Sequence, residues 1–168
     1  PMTRFRSLAT GFLVLAATAA SFAADTSETL RAAQAAYAGK NFGEALKLYE
    51  QVLAADPNLN EAVFRSGELK SWGIGVAPGA APDYKGAIAR FDQLLAKNPK
   101  DQFSALAKSR CLLWSGEPAQ AAQTALEVLK YAPRNREAHL MLGNVYLALE
   151  RYPDARTHFQ AVLKQNKK

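Results

Sequence analysis

The stretch LGNVYLALERYPDARTHFQAVL, Leu142 to Leu163, spaces Gly143, Tyr146, Tyr152, Ala155 and Phe159 at intervals that recur through the chain. Ala155 has counterparts at Ala121, Ala87 and Ala45, separated by 34, 34 and 42 residues. Four residues beyond each stand Phe159, Ala125, Phe91 and Tyr49, and twelve beyond the last three stand Pro133, Pro99 and Pro57. Twelve residues before stand Gly143, Ser109 and Ala33; in the second unit the matching Gly67 lies eight positions further out. A fixed period of 34 is the mark of a helical repeat.

Each position has a physical reason for its residue type. A small side chain at Ala33, Gly67, Ser109 or Gly143 lets two helices approach closely, and the alanine at 45, 87, 121 or 155 does the same from the partner helix. The residue four later shares that alanine's helix face, so an aromatic there fills the space beside the crossing. The proline cannot continue a helix and sets the turn into the next unit. Each unit therefore reads as a helix hairpin whose apolar face closes only against its neighbours.

This pattern resembles the tetratricopeptide repeat (TPR) family over nearly all of residues 26–168. The family has a small residue at position 8, Tyr at 11, an aromatic at 17, Ala at 20, an aromatic at 24 and Pro at 32. Unit four matches best, through Gly143, Tyr146, Tyr152, Ala155 and Phe159; unit one matches at Phe42, Ala45, Tyr49 and Pro57. Unit three is degenerate, with Pro118 and Ala125 where the aromatics belong. The resemblance implies an all-α fold, an α-solenoid of four TPR hairpins over residues 26–59, 60–101, 102–135 and 136–168. Helices are expected at about 27–38, 42–55, 60–73, 83–97, 101–115, 118–131, 135–149 and 153–165. Between the two helices of unit two, GIGVAPGAAPD (Gly73–Asp83) is rich in Gly and Pro and reads as a long loop. It either decorates a binding rim or is a tolerated surface insertion.

Residues 1–23 read as a segment apart from this domain, which occupies 24–168. Arg4 and Arg6 precede an apolar stretch from about Leu8 to Ala20, and Ser21 and Ala23 fit the small-residue cleavage pattern. That layout predicts a bacterial signal peptide cut after Ala23, and a periplasmic or secreted protein. An uncleaved inner-membrane anchor is the alternative. The apolar stretch is short for a span, and no integral membrane span is expected after cleavage. Removing 1–23 takes away two arginines and no acid, lowering the formal net charge from +6 to +4. The remaining charges are scattered, whereas nucleic-acid binding calls for a dense basic patch, so no nucleic-acid partner is expected. Cys111 is the only cysteine, which excludes an intrachain disulfide and makes it a small buried hydrophobe.

No enzyme emerges from the motifs. There is no phosphate loop, dinucleotide glycine pattern or nucleophile elbow. The two histidines, His139 and His158, have no Cys or acidic cluster beside them to complete a metal site. No cofactor or metal is expected, and packing roles are assigned to both rings.

Function is therefore expected from the concave surface that stacking creates. In TPR arrays positions 2, 5, 9, 12 and 13 of each first helix face the groove. Carried onto this sequence, they select Tyr37, Phe64, Glu68, Trp72, Phe103, Leu106, Arg110, Leu113, Trp114 and Asn144 as the partner-binding surface. Glu61, Ser71, Glu137, Leu140 and Leu147 also fall at these positions. Both tryptophans fall at position 13, either as anchors for a partner or as closures against neighbouring helices. Stacking of adjacent first helices is expected to bring them near one another along the groove. Position 5 is apolar throughout (Leu30, Phe64, Leu106, Leu140), which favours an apolar or extended peptide over a carboxylate clamp. The expected role is a scaffold or assembly factor binding a protein or peptide in an envelope or secretion complex. A glycan-binding accessory factor for polysaccharide or cell-wall processes is the alternative.

Overall fold

The computed structural model describes residues 25–74 and 81–165. The signal-peptide reading of 1–23 and most of the Gly73–Asp83 loop fall outside them. The described residues form eight helices and no strand. They are α1 (25–38), α2 (Phe42–Ala55), α3 (Asn60–Ser71), α4 (Tyr84–Lys97), α5 (Gln102–Trp114), α6 (Pro118–Tyr131), α7 (Arg136–Ala148) and α8 (Tyr152–Gln165). From α2 onward each helix packs on the next, and α3 on α5 and α5 on α7, as stacked hairpins require.

One turn is used four times inside the hairpins. The amides of Asn41, Ile74, Glu117 and Arg151 donate to the carbonyls of Ala36, Leu69, Leu112 and Tyr146, each five residues back. The residue before each donor has positive φ: Lys40 (60°), Gly73 (75°), Gly116 (87°) and Glu150 (56°). This is the Schellman ending, in which a left-handed residue lets the last carbonyls of a helix find donors. It also ends α3 at Ser71, two residues earlier than expected. The second helices then open on Phe42, Tyr84, Pro118 and Tyr152. Pro118 thus stands where the family has an aromatic because this position is also the first of a helix, where a missing N–H costs nothing.

The turns between repeats run through Pro57, Pro99 and Pro133, and the latter two end in side-chain N-caps. Asp101 accepts from Phe103 N at 3.1 Å, and Asn135 accepts from Ala138 N at 2.8 Å. Within unit two, Asp83 accepts from Gly86 N at 2.8 Å and opens α4.

The small-residue reading holds in each hairpin. A Cβ added to Gly143 would run into the Phe159 ring, and one on Gly67 would stand 3.0 Å from Arg90 Cβ and 3.2 Å from the Phe91 ring. Ser109 Oγ donates to the Ala121 carbonyl at 2.8 Å, joining the two small positions of unit three directly. Ala33, Ala45, Ala87 and Ala121 are fully buried. The core forms two clusters, one running from Ala33 to Leu94 with Cys111, the other from Ala105 to Ala155. Helix α5 feeds both, which is why apolar side chains surround it rather than forming one stripe. Burial pushes the Cys111 thiol up to about 11, against the opposing Ser71 hydrogen bond and Arg110 charge, so it packs as a hydrophobe.

Candidate binding groove

First helices α3 and α5 wall a concave cavity of about 640 Å³. Its surface takes Glu61, Phe64, Arg65, Glu68 and Ser71 from α3 and Trp72 from its C-cap, and Phe103, Leu106, Ala107 and Arg110 from α5. Glu137 reaches it from α7, Lys97 from the end of α4, and Asn98 and Asp101 from the turn between α4 and α5. Of the residues selected from sequence, Phe64, Glu68, Trp72, Phe103, Leu106 and Arg110 therefore share one site. Leu106 is its floor, almost wholly covered, while Phe103 is 74% exposed at its mouth.

Tyr37, Leu113, Trp114 and Asn144 do not line this cavity. Tyr37 stands behind its wall. Its hydroxyl donates to Glu68 at 2.8 Å and accepts from Arg65 at 3.1 Å, and Arg65 also bonds Glu68 at 2.8 Å. The Arg65 guanidinium lies 4.4 Å from the Tyr37 ring centroid. Burial, followed by the Glu68 hydrogen bond and charge, pushes the Tyr37 phenol up to about 12. Burial works against the Arg65 cation, but Glu68 and the neighbouring phenols outweigh it and its pKa rises. The closed triad fixes Glu68 as part of the wall and neutralises its charge.

The two tryptophans do not meet along the groove, contrary to the sequence expectation; each pairs with a different aromatic. Trp72, 40% exposed, packs edge-on against Phe42 at 5.3 Å and tilts against Tyr37 at 6.3 Å. Trp114, 50% exposed, lies 6.1 Å from Tyr84. Position 13 of one repeat thus packs on position 17 of the repeat before, because stacking sets the end of a first helix beside the start of the preceding second helix. Trp72 serves the groove and this joint together; Trp114 serves the joint. Asn144 is exposed on α7, and Leu113 is half-buried in the second cluster.

Sequence reasoning missed Arg65, Lys97 at the end of α4, and the turn residues Asn98 and Asp101. Arg65 sits one place beyond a groove position and reaches the site because its long stem carries the guanidinium over Tyr37. Lys97 Nζ donates to the Asn58 carbonyl at 2.8 Å and to Asn60 Oδ1 at 3.0 Å, which holds the turn against α3. Both Glu61 oxygens accept from the Gln34 amide, at 2.9 Å. Among the described residues Glu137 and Arg110 form no hydrogen bond or ion pair, so both face the groove with their charge uncompensated. No group of three or more His, Cys, Asp or Glu among the described residues can hold a metal, and no described helix is long and apolar enough to cross a membrane.

The family model for the tetratricopeptide repeat matches residues 29–69 and 106–168, and the chain belongs to that family. Solved structures of similar fold include a double mutant of MamA RS-1, at 17% identity over 85% of this chain and 76% of that one, with a TM-score of 0.72. YrrB, described as a TPR protein with an unusual peptide-binding site, matches at 17% identity over 83% and 68%, with a TM-score of 0.64. TTC0263, a thermophilic TPR protein of Thermus thermophilus, matches at 20% identity over 83% and 73%, also at 0.64. Among curated proteins none matches the sequence significantly. Fold and family together define a protein-protein interaction scaffold.

Proposed function

We propose that the protein is a non-enzymatic scaffold that holds an extended segment of a partner protein in the groove between α3 and α5. The observation that carries this reading is Phe103, a large aromatic standing 74% exposed at the mouth of a cavity whose lining is part apolar and part charged. Large aromatics beside a pocket are typical anchor points for a partner. Phe64, Trp72 and Leu106 supply apolar contact along the site. Glu61 and Glu137 on the rim favour a cationic residue of the ligand, and Arg110 favours an anionic group or carbonyl. The peptide-binding site described for YrrB lends support by analogy of fold. Residues 1–23 favour export, which would put the partner in an envelope or secretion complex.

The test begins with proteins captured from an envelope fraction and identified, followed by titration of the purified partner. Phe103→Ala should weaken binding at least 30-fold, the equivalent of about 2 kcal/mol lost with an anchor, and leave the helical circular dichroism unchanged. Equal affinity for wild type and variant would remove the groove reading. Recovery of glycan without protein would replace it with the carbohydrate alternative.

A further inference from the structure

His139 on α7 and His158 on α8 meet across the last hairpin with their Nδ1 atoms 2.9 Å apart and their ring centroids 5.2 Å apart. The second nitrogen of His139, Nε2, lies 3.2 Å from the Pro133 carbonyl. A carbonyl only accepts, so Nε2 carries the hydrogen and Nδ1 of neutral His139 is a lone pair. His158 must then donate through Nδ1–H, and its own Nε2 remains the free base.

The surroundings bound what this pair can do. Tyr146 of α7 stacks on His158 at 5.5 Å, with the Arg151 guanidinium 4.7 Å from the Tyr146 ring centroid. Asp154, one turn before His158 on α8, is engaged by Arg151 at 2.8 Å. From α6 and the turn after it the pair meets the Pro133 carbonyl. Helix α5 meets that turn through the uncharged Gln102–Asn135 bond. A first added proton can sit on His158 Nε2 and keep the Nδ1–H···Nδ1 bond. A second, on His139 Nδ1, sets two N–H groups and two cations face to face.

We propose that this imidazole pair is an acid-sensitive clasp that keeps the terminal hairpin closed at neutral pH and releases it on acidification. Burial, then the His139 charge, lowers the basicity of His158, and Asp154 opposes them. Of the pair's two protons it is the second that the folded hairpin disfavours, so the clasp contributes stability above the unfolded imidazole pKa of about 6.5 and loses it as pH falls below that value. Because α7 also carries Glu137, loosening the hairpin removes one edge of the groove. That consequence rests on the binding role proposed above, whereas the clasp itself does not.

Native-state amide exchange on the 168-residue chain, at about pH 7.5 and about pH 5, on either side of the ordinary imidazole pKa, tests the clasp without any ligand. After correction for intrinsic rates, α8 should lose protection relative to α3 on acidification. In His158→Gln this loss should vanish, since an amide can offer His139 either donor or acceptor without charge. An unchanged ratio in wild type, or an undiminished loss in the variant, overturns the proposal. Should the variant fail to fold, imidazole nitrogen NMR of the wild type decides. Two coupled steps, the lower below the ordinary range, support the clasp; two independent titrations near 6.5 overturn it.

Discussion

Phe159 lays its ring directly over the backbone of Gly143, occupying the space where any side chain at 143 would begin. The contact joins α7 to α8 at their closest approach. It predicts that Gly143→Ala costs about 1–3 kcal/mol by overpacking, more than the helix-propensity gain returns. Gly67→Ala, whose Cβ would meet Arg90 and Phe91 at 3.0–3.2 Å, should stay within about 1 kcal/mol of neutral as propensity offsets crowding. Urea titrations of the two variants check the order. A Gly143→Ala protein as stable as wild type would mean that the ring moves freely aside.

The left-handed turns give a prediction of opposite sign. Lys40 and Glu150 sit at φ near 60° with side chains that form no hydrogen bond among the described residues. An L residue there costs about 1–2 kcal/mol of backbone strain, part of which glycine returns as chain entropy. Lys40→Gly and Glu150→Gly should therefore each stabilise by about 0.5–1 kcal/mol, while Gly116→Ala, at φ 87° in open space, should destabilise by about 1 kcal/mol. Thermal melts of the three variants suffice.

The Tyr37 phenol sets an alkaline limit. Its pKa is raised on folding, so its contribution is complete below the unfolded value of about 10 and is lost as pH climbs toward about 12. Tyr49 and Tyr131 are raised as well, chiefly by burial, and act in the same direction. Denaturation at rising pH should show falling stability across this window, with a shallower fall in Tyr37→Phe. A slope unaltered by that substitution would leave the triad without a role in it.

Trp72 and Phe42 should be energetically coupled. Aromatic pairs in edge-on geometry contribute about 0.5–1.5 kcal/mol beyond burial, and a double-mutant cycle with Trp72→Ala and Phe42→Ala isolates that figure. The same cycle on Trp114 and Tyr84 should return a comparable coupling, since both pairs join the same repeat positions. Phe103→Ala, by contrast, should shift stability by no more than about 0.5 kcal/mol.

The register of small, aromatic and proline positions located all eight helices to within about two residues, because each of those residue types answers to one steric demand of the hairpin. The end of α3 was not legible, since the Schellman turn at Gly73 acts through backbone conformation that the glycine only permits. The site was half legible. Phe64, Glu68, Trp72, Phe103, Leu106 and Arg110 come from groove positions that the family resemblance supplied, whereas Asn98 and Asp101 come from a turn, which has no period. Trp114 escaped because its side chain answers to Tyr84 of the preceding repeat, a contact between units rather than within one. The histidine pair did carry a signal. In an antiparallel hairpin with Gly143 opposite Ala155, stepping back to 139 on one helix leads forward to 158 on the other.

The division of the core into two clusters that meet through α5 and Ile88 has a calorimetric consequence. The groove straddles that seam, with Phe64 and Trp72 standing on the first half and Leu106 on the second. In the free protein the halves can absorb heat separately, and the melting endotherm should be broad, with a van't Hoff enthalpy below the calorimetric one. A segment lodged across the seam ties the fate of one half to the other. The loaded protein should then melt as a single sharper unit, reporting occupancy of the groove through the width of the transition as well as its midpoint.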